Sequence, residues 1–186
     1  EVGIIKIRGM IHYKGRVRIS MLCGRRALLD YRNRLKDGIR LSNLLSARLQ
    51  LVPEAVEKLK NDCQDREMLI GRLYGQLFGL KAGQYPKSNR PLTLFEEGLN
   101  MVQIRQLCTL LYEQEKGSVV MVCSGNEAQG EYQYALGSSL MDMRALSKAM
   151  NGKLHGRGGG SSLMAQGTFR ASRQSVMDVF QEETKS

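Results

Sequence analysis

From Leu45 onward the seam residues recur in alternating steps of four and three: Leu45, Leu49, Val52, Val56, Leu59, Cys63, Arg66, Ile70, Leu73, Leu77 and Leu80. Ten of these eleven positions are apolar, and only Arg66 interrupts the seam. That spacing selects one shape: a long helix whose single apolar stripe is built for another helix. It predicts a helical arm over residues 41–83, with Val56, Leu59, Cys63, Ile70, Leu73, Leu77 and Leu80 forming a dimerising face. Pro53 lacks the amide hydrogen a helix interior needs, so a break or restart is expected near Val52-Pro53. Gly71, Gly75, Gly79 and Gly83 fall on every fourth residue of the arm's last turns. Such a row either admits a second backbone closely or weakens the end of the arm, at about 1 kcal/mol per glycine relative to alanine. A membrane reading of the row fails, because Arg72, Tyr74, Gln76 and Lys81 make it too polar. No apolar stretch approaches the roughly 20 residues that cross a bilayer, so no membrane partner is expected.

The residues before the arm have a different period. Ile5 and Ile7 alternate with Lys6 and Arg8, and after a turn near Lys14-Gly15 the residues Val17, Ile19 and Met21 alternate with Arg16, Arg18 and Ser20. Period two with β-branched residues predicts two half-buried strands, apolar on one face and basic on the other. Residues 24–37 then predict a helix with Ala27, Leu28, Tyr31 and Leu35 on one stripe and Gly38 as its stop. Charge is concentrated in this part of the chain. Residues 1–60 carry 14 Lys+Arg against 5 Asp+Glu, a net of +9 out of the chain's +10. A basic face of that kind is the usual footprint of a phosphate-bearing partner, the alternative being a solvated charged surface.

After the arm, residues 84–91 read as a linker. Residues 92–95, 118–123, 132–136 and 163–169 predict strands, and residues 99–115, 141–150 and 173–182 predict helices, the second of them stopped by Asn151-Gly152. Strands alternating with helices make residues 92–186 a small α/β domain, and the whole chain an α+β protein.

Candidate chemistry is sparse. Gly156, Gly158, Gly159 and Gly160 crowd around Arg157 between a helix and a strand, with Gln166 in the strand beyond. Glycine backbone can wrap an anion and Arg157 can grip a phosphate; a plain flexible turn is the alternative. The order matches neither a Walker loop nor a dinucleotide fingerprint. His155 has no acid within ten residues to orient it, and His12 and His155 are the only histidines. No catalytic residue and no metal site are therefore expected within the chain. The four cysteines form no CxxC pair and read as reduced packing residues of a cytoplasmic protein.

Taken together, EVGIIKI, KGRVRISMLCGRRALLDYR, LSNLLSA, the heptad arm and GRGGGSSLMAQG resemble the C-terminal half of the long-form AlaX-type alanyl-tRNA editing proteins. The last block also resembles the DHH-associated domain that closes alanyl-tRNA synthetase. The resemblance implies a parent that uses zinc to hydrolyse Ser or Gly mischarged onto alanine tRNA. Its metal motifs would precede the strand that EVGIIKI resembles, so this chain reads as a piece of that parent, without cofactor of its own. Residues 1–40 would be the tail of the editing domain, and residues 41–83 a homodimerising arm. Lys14, Arg16, Arg18, Arg25 and Arg26 would hold the backbone of the alanine tRNA, and the Gly156–Gly160 block with Arg157 and Gln166 would touch a more distant part of it. Two other classes stand beside this reading: an assembly module without RNA affinity, and the nucleotide-binding half of a DHH-type phosphoesterase.

Overall fold

The computed structural model describes residues 3–127 and 130–185. The chain opens with an antiparallel hairpin of β1 (Ile5–Tyr13) and β2 (Arg16–Cys23). Its two turn residues, Lys14 and Gly15, both have positive φ, +48° and +72°, the geometry that matches strand twist in a two-residue hairpin. The first helix, α1, spans Arg25–Leu44, longer than the glycine at position 38 predicts. Gly38 is not a stop: a Cβ there would stand 2.9 Å from Leu49 Cδ1, so its bareness admits the single 3-10 turn Leu49–Leu51 against the helix. The helix ends instead at Leu45, whose amide donates to Leu41 O, followed by Ser46 in the left-handed region.

The arm is α2, Val52–Gly83. It restarts where Pro53 requires, with the proline in its first turn, where the missing amide hydrogen is not needed. Leu45 and Leu49 therefore lie outside the arm helix, in the connection and the 3-10 turn.

The remaining elements are β3 (Leu92–Glu96), α3 (Met101–Glu113), β4 (Val120–Asn126), β5 (Glu131–Gly137), α4 (Met143–Lys153), β6 (Arg157–Gly160), β7 (Met164–Arg170) and α5 (Arg173–Thr184). The strands form one sheet in the order β3-β4-β5-β7-β6, parallel between β3 and β4 and antiparallel elsewhere. On one face, Ile104, Leu107 and Leu111 of α3, with Phe78 and Ala82 of α2, pack on Leu94, Val120, Val122 and Ala135. On the other, Met143, Leu146 and Met150 of α4 and Val176 and Phe180 of α5 pack on Met121, Tyr134, Leu136 and Phe169. α3 starts at an Asn100/Gln103 capping box, two residues later than the apolar pattern predicts. α4 runs through Asn151-Gly152 to Lys153, and the left-handed residue that follows its Leu154 cap is His155, at φ +49°; within the helix the Asn151 side chain accepts a hydrogen bond from the Tyr134 hydroxyl.

The chain divides into two units, Glu1–Met68 and Leu69–Ser186. Among the described residues these hold five α-helices and two sheets, a mixed α+β protein. Both cores belong to the second unit; in the first, Ala27 is the one buried hydrophobic residue among those described. No helix is long and apolar enough to cross a membrane.

Candidate nucleic-acid interface

The hairpin arranges its side chains in pairs. Ile11 faces Arg18 and Tyr13 faces Arg16 across the ladder, and directly paired residues point to the same side of a sheet. A bulge between Ile7 and Gly9 causes this mixture, since one extra residue in β1 reverses its alternation from there on. The basic face predicted by simple alternation is thus interrupted, and Lys6 is withdrawn from it: its ammonium lies 2.7 Å from Asp30 Oδ2 of α1. Arg34 Nε lies 3.0 Å from the same oxygen. Hydrogen bonds from Lys6 and then Arg34 hold the Asp30 carboxyl below its ordinary range.

At the tip, Arg16, Arg18 and Lys14 remain exposed. The Arg18 guanidinium sits 4.9 Å and the Lys14 ammonium 5.5 Å from the centre of the Tyr13 ring, so one aromatic ring gathers two cations. Tyr13, Lys14, Arg16, Val17 and Arg18 line a shallow depression at this tip. Among the described residues none of these cations has an acidic partner within 4.0 Å. Charge and strand period do not single out Tyr13; its place beside the Lys14-Gly15 turn is the one sequence signal for it. Arg25 and Arg26 stand at the other end of β2, beyond Gly24, whose φ of +55° and ψ of −132° turn the chain into α1. The strand residues 19–23 and Gly24 lie between Arg18 and Arg25, roughly 20 Å at 3.3 Å per residue. The structure therefore gathers Lys14, Arg16 and Arg18 and sets Arg25 and Arg26 apart from them along one strand.

The glycine-rich segment is not a turn. Arg157–Gly160 form β6, an exposed edge strand paired with β7. Its glycines have a packing cause. The Tyr134 ring stacks on Phe169 at 3.9 Å, and its hydroxyl is 2.7 Å from Ser147 Oγ and donates to Asn151 Oδ1 at 3.1 Å. A Cβ on Gly158 would lie 2.5 Å from that hydroxyl, and one on Gly167 would lie 2.8 Å from the same ring. Gly156 is closed by Phe169 and Asn151, and Gly160 by Met164 O and Ala165 Cα of the neighbouring strand. Gly159 alone of the four faces open space. It is paired with Gln166, whose Oε1 is buried and has no hydrogen-bond partner. Arg157 is exposed, and Arg144 Nε donates to Gly160 O at 3.1 Å. Gly156 to Gly160 and Gln166 thus adjoin one another at the sheet edge, in the second unit, while the hairpin cations belong to the first.

In the arm, Val56, Leu59, Ile70, Leu73, Leu77 and Leu80 are between 47% and 73% exposed, and Cys63 is exposed too. The opposite side of the same helix is the buried one: Phe78 and Ala82 enter the sheet's core, with Tyr74 partly buried beside them. Of the glycines in the row, only Gly75 has a neighbour where a Cβ would stand, the Gln106 side-chain nitrogen of α3 at 3.8 Å; a Cβ on Gly71, Gly79 or Gly83 would meet nothing within 4 Å.

No group of three or more His, Cys, Asp or Glu among the described residues could hold a metal ion. His12 and His155 fall in different units. The described residues do not fit a zinc site.

No family model matches the chain, and no curated protein sequence matches it. Among solved structures, it is similar to the C-Ala domain of Aquifex aeolicus alanyl-tRNA synthetase, at 19% identity and a TM-score of 0.46, over 52% of this chain and 91% of that one. It is similar also to exonuclease RecJ bound to manganese, at 15% identity and a TM-score of 0.47, over 76% of this chain and 33% of that one. RecJ from Thermus thermophilus gives 14% identity and a TM-score of 0.44, over 74% and 19%. At these identities and scores the likeness assigns neither an activity nor a ligand.

Proposed function

We propose that this chain is the tRNA-gripping and self-associating part of an alanyl-tRNA editing protein. The observation that carries the reading is the hairpin tip: Lys14 and Arg18 lie over the Tyr13 ring and Arg16 faces Tyr13 across the ladder, with no acidic partner among the described residues. Cations held together without acids attract a polyanion, and an aromatic ring between them offers a surface for a base or sugar. The motifs from EVGIIKI to GRGGGSSLMAQG supply the family, by resemblance alone.

The sheet edge supports a second contact. Arg157 is free to meet a phosphate and Gly159 leaves its backbone open to close approach. Gln166 Oε1 is an acceptor in need of a donor; a phosphate has none to give, whereas a ribose 2′-hydroxyl does. The exposed seam of α2 supplies the face for a second copy. Removal of Ser or Gly from alanine tRNA, and the zinc that activity would use, belong to the parent in this reading, and no hydrolytic step is assigned to residues of this chain.

The test is a titration with uncharged alanine tRNA and a non-cognate tRNA, at low and at physiological salt. Salt-sensitive binding to both is expected. The double variant Arg16→Glu/Arg18→Glu should weaken both and reduce the salt slope by about 2, at roughly 0.9 for each phosphate no longer neutralised. Absence of binding at low salt would overturn the RNA reading in favour of an assembly module.

A further inference from the structure

We infer that α2 pairs with a second copy of itself in antiparallel orientation, about a dyad between Gln64 and Asp65. The inference rests on the reading of the arm as self-associating and goes on to fix the orientation and register of the pair.

The exposed seam needs an apolar partner, and charge decides how that partner lies. In a parallel, in-register pair every seam residue meets its own copy. Arg66 would then stack against Arg66 inside the seam. Beside it, Asp62 would face Glu67 of the second copy, and the symmetry would make that repulsion twice. Both conflicts vanish when the second helix is reversed. Val56 then lies beside Leu73, Leu59 beside Ile70 and Cys63 beside Arg66, so every seam layer except the central one is apolar on both sides. Lys60 faces Glu67 of the second copy, and Glu67 faces its Lys60, giving two opposite-charge pairs. Arg66 lies within a turn of Asp62 of the other chain. The register is fixed by the same residues. Sliding the helices by one heptad sets Lys60 against Lys60 in one direction and Glu67 against Glu67 in the other. Charge alone separates these three registers: only this one sets the flanking residues in opposite-charge pairs, with four seam layers from Val52/Leu77 to Cys63/Arg66. The back of the helix does not compete for this partner, since Phe78 and Ala82 are already buried in the chain's own core.

Two measurements test it on the full chain. In a Cys23→Ser/Cys63→Ser background, Val56→Cys/Leu73→Cys is oxidised gently and the bridged peptides are sequenced by mass spectrometry. Bridges between positions 56 and 73 of different chains are expected; bridges joining 56 to 56 and 73 to 73 would overturn the antiparallel arrangement and leave the dimerising arm standing. Separately, sedimentation equilibrium of Glu67→Lys should show the dimer weakened roughly five- to tenfold, with Lys60→Glu/Glu67→Lys restoring it. A parallel pair would instead be tightened by Glu67→Lys, through its new attraction to Asp62. A monomer at every concentration in the unsubstituted chain would overturn the arm itself.

Discussion

The Tyr134 hydroxyl fills the space beside Gly158 in which a Cβ would stand, 2.5 Å away. The glycine-rich strand is thus shaped by an aromatic ring on the strand two places in from it. Gly158→Ala has nowhere to put its methyl group, because the other near atoms are backbone of β7. It should destabilise the second unit by about 1–3 kcal/mol. Gly159→Ala, which meets nothing within 4 Å, should stay within about 0.5 kcal/mol of the parent stability. Urea melts of the two variants check this. If Gly159→Ala lowers RNA affinity at unchanged stability, its bareness serves a ligand while that of Gly158 serves Tyr134.

Lys14 has a φ of +48°, a conformation that asparagine or glycine adopts far more readily than lysine. Lys14→Asn is expected to stabilise the hairpin by up to about 1 kcal/mol. The same change removes a cation from the Tyr13 ring, so tRNA affinity should fall and its salt slope drop by about 1. Thermal melts and a salt-dependent titration read the two effects separately. A turn that loses stability while keeping its RNA affinity would contradict both halves of the account.

These variants also show where residue patterns sufficed and where they did not. Local signals placed the Lys14-Gly15 turn, the Pro53 restart and the alternating strands and helices after residue 91, because each depends on a few neighbouring residues. The failures share a cause: glycines whose role is set by a distant side chain. On local pattern Gly38 is a helix stop, whereas Leu49 packs against it; Gly158 and Gly160 suit an anion-binding segment or a flexible turn equally, whereas Tyr134 and the backbone of β7 account for their bareness. The bulge after Ile7, which places Ile11 and Tyr13 among the arginines, likewise follows from pairing across the hairpin and not from period two within one strand. Of the candidate site, the tip cations were legible from charge, whereas the orphaned Gln166 oxygen depends on what surrounds it in the sheet.

Asp30 ties the hairpin to α1 through Lys6. Its carboxyl titrates below the ordinary 3.8 because Lys6, and after it Arg34, bond to the ionised form. A carboxyl depressed in the folded state contributes stability that is fully present above its unfolded value and is lost as pH falls through the folded one. The hairpin should therefore stay docked on α1 down to about pH 4 and loosen below it, an effect carried by Asp30→Asn to neutral pH. Carboxyl NMR titration and amide exchange of β1 test this together. An Asp30 midpoint at or above 3.8 would remove the basis for the anchor, as would unchanged β1 protection in Asp30→Asn.

The four thiols divide by environment. Burial raises the pKa of Cys108 and Cys123 well above the usual thiol range, and the Cys108 thiol lies 3.6 Å from the carbonyls of both Val120 and Ala135. Since the thiolate is the reactive form, both should resist alkylation at about pH 8 until the sheet unfolds. Cys23 and Cys63 are exposed in the single chain and should react freely in dilute solution. Raising the protein concentration should then separate these two, because only Cys63 lies on the α2 seam. Mass mapping of alkylated sites across a concentration series would show Cys63 protected as the arms pair and Cys23 unchanged. Equal reactivity of the two at all concentrations would mean that the seam stays open, and modification of Cys108 at the rate of Cys23 would mean that the sheet core admits solvent without unfolding.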